Sequence, residues 1–221
     1  MKTAMILCIC SAAAHAEPAS SPRYSLDIGS HIRTFGDASA AIVANDALAG
    51  TRITLGRRLG TVAAPVRDLE LGVFARWVVA TVDGTMFQTL QSTITQHALA
   101  AGVRVDATLA WRFRAVGQAE LGMARTALTI TEPGMTVPVD DHGWAPYGTA
   151  TLGTELALVE SRRFRFSVGV DLGYTVTVPV ELRARPRDRP DEDRAIATEY
   201  ASIGSLDTRG WTYSMAFRGG F

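Results

Sequence analysis

The chain has 221 residues, with 22 basic and 22 acidic side chains and no formal net charge at pH 7. That balance provides no basic excess for nucleic acid, and no apolar run approaches the ~18 residues of a membrane helix. Cys8 and Cys10 are the only cysteines, which excludes a disulfide-stapled fold or a cysteine-ligated metal from residue 11 onward.

Lys2, the mostly apolar run Ala4 to Ala13 and the small-x-small site Ala14-His15-Ala16 read as a secretory signal cleaved near Ala16. Residues 17–221 then form one domain, without cysteine and so without a disulfide staple. A lipoprotein reading of Cys8 and Cys10 is disfavoured, because Leu7 and Ile9 precede them where a small residue is expected.

From there apolar and polar residues alternate, as in strands with two unlike faces. Tyr24, Leu26, Ile28 and Ile32 oppose Asp27, Gly29, His31 and Arg33. Ile53, Leu55 and Leu59 oppose Arg52, Thr54, Gly56 and Arg58. Leu69, Leu71, Val73, Ala75, Trp77 and Val79 oppose Glu70, Gly72, Phe74 and Arg76. Val103, Val105, Ala107, Leu109, Trp111 and Phe113 oppose Arg104, Asp106, Thr108, Arg112 and Arg114. A fifth segment begins with Ala119, Leu121 and Met123 against Glu120 and Gly122. Its phase slips at Leu128 and Ile130, which predicts a bulge near Ala124 to Thr126. Ala150, Leu152, Leu156 and Leu158 oppose Thr149, Thr151, Gly153 and Glu155. Phe164 to Leu182 reads as one long seventh strand, with Arg165 and Asp171 on its polar face, and Trp211 to Phe221 as the eighth.

Between these, Gly60 to Asp68, Ala115 to Gln118 and Glu160 to Arg163 are short connectors. Gly36 to Gly50, Val82 to Gly102, Thr131 to Pro146 and Arg183 to about Arg209 are long. A secreted β-sandwich also alternates. It does not explain strands beyond the usual ~5–6 residues, connectors of alternating length, or a glycine-rich polar face. The expected fold is an all-β, eight-stranded antiparallel up-and-down barrel crossing a bilayer. Asp83-Gly84 and the segment Thr85 to Gln96 leave two versions open: longer third and fourth strands, or ten strands in all.

With these features the chain resembles the small outer-membrane barrels of the OmpA/OmpX type. The resemblance rests on the signal ending at Ala16, eight alternating segments, long and short loops in turn, and a terminal aromatic strand ending in Phe221. It implies residence in the outer membrane of a Gram-negative bacterium. It also implies contact with lipid and lipopolysaccharide and recognition of the last strand, through Tyr213, Met215, Phe217 and Phe221, by the barrel-assembly machinery. Tyr24, Trp77, Trp111, Tyr174 and Tyr213 are the candidates for the interfacial aromatic girdles. A monomer is expected, with no nucleic-acid partner.

Candidate chemistry lies first in the lumen. Six acids (Asp27, Glu70, Asp106, Glu120, Glu155, Asp171) share the polar face with nine arginines (Arg33, Arg52, Arg58, Arg76, Arg104, Arg112, Arg114, Arg165, Arg218). An eight-stranded barrel has interior room only for its own side chains, so a paired network that plugs the lumen is expected ahead of a narrow anion-preferring channel. Asp140-Asp141-His142 reads as solvated loop residues more readily than as a metal or hydrolytic site. His31 reads as part of the lumen network. The mixed-charge run Arg183 to Arg194 reads as a solvated loop tip, with clamping of lipopolysaccharide phosphates as the sharper version. The expected role is structural or interactive, with no cofactor, no metal and no catalytic residues. The alternative is a surface enzyme, lipid A-modifying or protease-like, using external-loop His and Asp residues.

Overall fold

In the computed structural model the alternating segments close into a ring. The structure describes residues 22–36, 47–63, 69–86, 90–110, 112–131, 139–161, 164–184 and 201–221. Eight strands form the barrel: β1 (Tyr24–Thr34), β2 (Ala47–Val62), β3 (Leu69–Met86), β4 (Leu90–Ala110), β5 (Phe113–Thr131), β6 (Val139–Glu160), β7 (Arg165–Thr177) and β10 (Gly210–Gly220). Each pairs antiparallel with its neighbours, and β1 closes the ring against both β2 and β10. Two further strands, β8 (Val180–Ala184) and β9 (Ala201–Leu206), pair only with each other. The described chain thus has ten strands, eight of them in the barrel.

The strands are longer than the alternation predicts, and several connectors become strand. β3 and β4 continue in register to Met86 and Leu90, so residues 82–86 and 90–102 are barrel wall; Thr93 donates to Asp83 Oδ1 at 2.7 Å near the ends of the two strands. β5 begins at Phe113, so Ala115 to Gln118 are strand and Arg112 lies in the turn before it. β6 begins at Val139 and takes in Asp140-Asp141-His142. The seventh strand does not reach Leu182. It stops at Thr177, next to Pro179, which has no N–H to offer a ladder, and the chain then leaves the ring as the β8–β9 hairpin.

The phase slip in β5 is not a bulge. Residues 113–130 pair without interruption with β6, and the β4 ladder is continuous from Gln91 to Thr108. The register shifts of the barrel ladders lie elsewhere, at Arg58/Gly60, Thr108/Ala110 and Ala157/Val159, all near the short-turn rim, where barrels commonly carry bulges. What changes at Leu128 is the chemistry of the two faces. From Phe113 to Met123 the outward residues of β5 are apolar and Arg114, Gln118 and Glu120 point inward, buried. Beyond Met123 the signs invert. Ala124 and Leu128 are buried inside, while Arg125 and Thr129 point out. Neighbouring strands invert with it: Val78, Ala80 and Val82 of β3 and Ile94 and Ala98 of β4 are buried, and Thr81, Asp83, Thr95 and His97 face outward.

The barrel therefore has two storeys. At the short-turn end a polar interior sits within an apolar outer belt. At the other end an apolar core of Leu48, Val78, Ala80, Val82, Ile94, Ala98, Ala124, Leu128, Ala145 and Tyr147 sits within a polar wall. Val180, Leu182 and Leu206 of the β8–β9 hairpin join that core. The hairpin thereby stoppers the barrel with apolar side chains. Gly143 makes room for it, since a Cβ there would collide with the Val180 side chain.

Candidate functional site

The polar storey is built by inward positions two residues apart on neighbouring strands. At the seam, Arg218 of β10 lies directly across from Asp27 of β1 and grips both its carboxylate oxygens, Nε to Oδ1 at 2.6 Å and Nη2 to Oδ2. Arg218 Nη1 also donates to Glu155 Oε2 at 2.6 Å, and Arg104 donates to the same oxygen at 2.5 Å. Ser167 donates to Glu155 Oε1 at 2.6 Å, and Arg104 Nε lies 2.7 Å from both oxygens of Asp106.

Deeper, Arg52 donates to Asp171 at 2.6 Å and to Ser214 Oγ at 2.5 Å. Arg76 uses all three nitrogens, on Thr54 (3.1 Å), Glu120 (2.7 Å) and Gln118 (2.5 Å), and its guanidinium lies 4.8 Å from the Phe74 ring centre. Arg33 is held by Gln96 Oε1 at 2.9 Å and by the face of Tyr147. Gln96 passes the contact on to Thr126, just beneath the apolar storey. His31 is buried in the same interior. A carboxylate accepts best from the planar fork of a guanidinium, and removing one partner of such a buried pair leaves an expensive lone charge.

At the short-turn rim one carboxylate serves three arginines. Glu70 takes Arg114 at 2.8 Å, with Arg58 and Arg165 each at 3.9 Å. Glu160, which sequence reasoning passed over as a connector residue, takes Arg165 at 2.5 Å and lies 3.9 Å from Arg114. Fourteen of the fifteen lumen residues picked out by parity thus line the interior or its rim. Arg112 does not. It is exposed in the turn between β4 and β5 and reaches the Leu158 carbonyl at 3.5 Å, because the turn comes earlier than the alternation implies. The lumen list, confined to charged residues, left out the uncharged partners: Gln96, Gln118 and the hydroxyl ladder Thr149–Thr175–Thr212 (2.9 and 2.8 Å), of which the alternation had already placed Thr149 on the polar face. They lie on the inward parity, the one signal that could have found them.

Asp140-Asp141-His142 does not gather into a site. On β6 Asp141 is buried inside while Asp140 and His142 face the other way. No cluster of metal-binding side chains occurs among the described residues. Of the run Arg183 to Arg194, residues 185–194 lie outside the described residues.

On the outside, Tyr24, Trp77, Tyr174 and Tyr213 are exposed on the apolar belt; Trp111 lies outside the described residues. Trp211 packs edge-on against Tyr174 at 5.5 Å and Phe221 lies 6.4 Å from Tyr24, so the aromatics collect toward the two edges of the belt. Trp144, 58% exposed, belongs with the upper set and was missed because its segment read as a loop. Tyr213, Met215, Phe217 and Phe221 share one exposed face of the last strand. No protein-family model and no curated protein matches the chain.

Proposed function

We propose that this chain is an outer-membrane β-barrel protein with a sealed lumen, serving a structural or interaction role rather than conducting solutes. The observation that carries the reading is the apolar outer belt. Leu121 and Leu152 are 76% and 75% exposed, and comparable side chains continue around the ring. Monomeric soluble proteins rarely expose a continuous apolar surface of this extent. The belt on β5, from Phe113 to Met123, matches the ~9–11 residues a tilted strand needs to cross a bilayer, and closure leaves no unpaired sheet edge in hydrocarbon. The secretory signal at residues 1–16, Gram-negative origin and handling of the last strand by the assembly machinery belong to this proposal. So do lipid and lipopolysaccharide as neighbours and the monomeric state.

Sealing follows from the two storeys. Ions entering from the short-turn end meet paired charges and then an apolar stopper, and a dry apolar constriction blocks conduction. The test is reconstitution into planar bilayers after refolding in detergent. The expected result is mostly β circular dichroism, different gel migration before and after boiling, and no steady conductance. Ready solubility without detergent would refute the membrane reading. Steady anion-preferring current would refute the sealed lumen. Asp141 and His142 diverge on β6, and no observation favours the surface-enzyme alternative.

A further inference from the structure

We propose that the outer wall of the barrel, where the apolar belt meets the polar wall on β4, β5 and β6, seats the phosphate headgroup of a membrane lipid. The inference rests on the membrane reading and adds to it a fixed site for one chemical class of lipid.

The register assembles the site. On the outward face His97 of β4 lies directly across from Arg125 of β5, and Arg125 directly across from Trp144 of β6. Side chains opposite one another on antiparallel strands stand about 5 Å apart at Cβ, so the three form one row across three strands. His142 shares the outward face of β6, two residues beyond Trp144. The row is the first above the belt. Directly below it Leu99, Met123 and Pro146 lie in register and exposed.

Two observations set this row apart from an ordinary solvated surface. Arg125 makes no hydrogen bond or ion pair with any described residue, whereas the arginines inside the barrel are held by acids, amides and hydroxyls. The charges on this wall are also sorted by height. Above the belt, the outward carboxylates described on β3 to β6 are Asp83 and Asp140. They sit level with Thr93 and Thr129, four residues further from the belt than His97 and Arg125. At about 3.4 Å per residue that separates them from the Arg125 row by about 14 Å. Asp83 already accepts from Thr93.

A ligand that matches this line is amphiphilic, with an apolar chain against Leu99 and Met123 and an anionic head at Arg125. The guanidinium fork takes two phosphate oxygens at once. His97 and His142 each offer a ring N–H and Trp144 its indole N–H. The row lies on an open wall, where one guanidinium holds a free ion weakly in water. A lipid is instead anchored by its chains, which keep its phosphate at this height beside the cation.

The experiment is calorimetric titration of dihexanoyl phosphatidate into the refolded full chain in non-ionic detergent. The wild type should bind it saturably, at least tenfold tighter than dihexanoyl phosphatidylcholine or inorganic phosphate. Arg125→Gln should weaken binding at least tenfold. Trp144→Phe, which keeps an aromatic ring but removes the N–H, should weaken it several-fold. Arg57→Gln changes an exposed arginine across from Tyr24, at the opposite edge of the belt, and should leave binding unchanged. Gel migration before boiling checks that each variant is folded. Binding that survives Arg125→Gln, or falls equally with Arg57→Gln, overturns the proposal. Equal affinity for the phosphatidylcholine would reduce the site to apolar adsorption, and equal affinity for inorganic phosphate would make it a free-ion site; either overturns it. Failure of the membrane reading is a separate result, ready solubility without detergent.

Discussion

Arg218 and Asp27 face each other across the seam that closes the barrel, 191 positions apart in sequence and joined by a two-pronged ion pair. Asp27 is 1% exposed, so its charge has no recourse to water if the arginine goes. Arg218→Ala is expected to destabilise the barrel by about 3–5 kcal/mol, the usual cost of orphaning a buried charge. The double variant Asp27→Asn/Arg218→Gln should recover a large part of that loss. Urea unfolding in lipid vesicles reads both, and a double variant as weak as the single one would show that the pair itself contributes little.

The second prediction contrasts two arginines that look alike in sequence. Arg76 makes three hydrogen bonds inside the barrel, whereas Arg112 sits in an exposed turn. Arg76→Ala should cost several kcal/mol, and Arg112→Ala should stay within about 0.5 kcal/mol of wild type. Equal effects in the same unfolding assay would contradict their placement.

Conductance separates the two seals. Because the apolar stopper remains, Arg76→Ala alone should stay silent in planar bilayers. Replacing residues 179–208 by a short linker removes the β8–β9 hairpin, and only that deletion combined with Arg76→Ala should leak. A leak from Arg76→Ala alone would mean that the charge network is the sole barrier.

The inversion of faces along β5 predicts position-dependent costs. Leu121→Arg places a charge on the belt proposed to face lipid, one outward position from its edge at Met123. It should cost about 1–2 kcal/mol, between the midplane and interface costs. Thr129→Arg, on the polar wall of the same strand, should cost less than about 0.5 kcal/mol. Leu128→Ala, emptying part of the inner core, should cost about 2–5 kcal/mol. If Leu121→Arg and Thr129→Arg unfold alike in vesicles, the belt does not end at Met123.

Deleting Phe221 should lower the fraction of protein inserted in cells, through loss of the assembly signal proposed for the last strand. Phe221 and Tyr24 also exchange backbone hydrogen bonds at 2.9 Å, so the purified deletion variant should lose a modest amount of stability as well. Undiminished insertion in cells would reject the assembly role.

The ring of eight strands and most of its lumen were legible because a strand's period is two whatever surrounds it, so Asp27, Arg76 and Arg218 could be assigned inward from spacing alone. The strand ends were not legible, for a specific reason. The parity rule was read with one sign, apolar outward. Where Val78, Ile94 and Leu128 carry apolar side chains inward, the same regular backbone looks like a phase error or a loop. Asp140-Asp141-His142 was lost in the same way. The break at Pro179 was hidden by the opposite accident. Val180 and Leu182 keep the parity of the preceding strand while belonging to a hairpin that has turned into the barrel mouth.

Nothing in the backbone marks where one storey gives way to the other: the ladders of β3 to β6 run through the change without a break. The waterline of this molecule is therefore written in side chains alone. Exchanging the inner and outer residues of one more pair on each strand would slide it along the same scaffold without altering strand number or register, which on the membrane reading proposed above fits the barrel to a thicker or thinner bilayer.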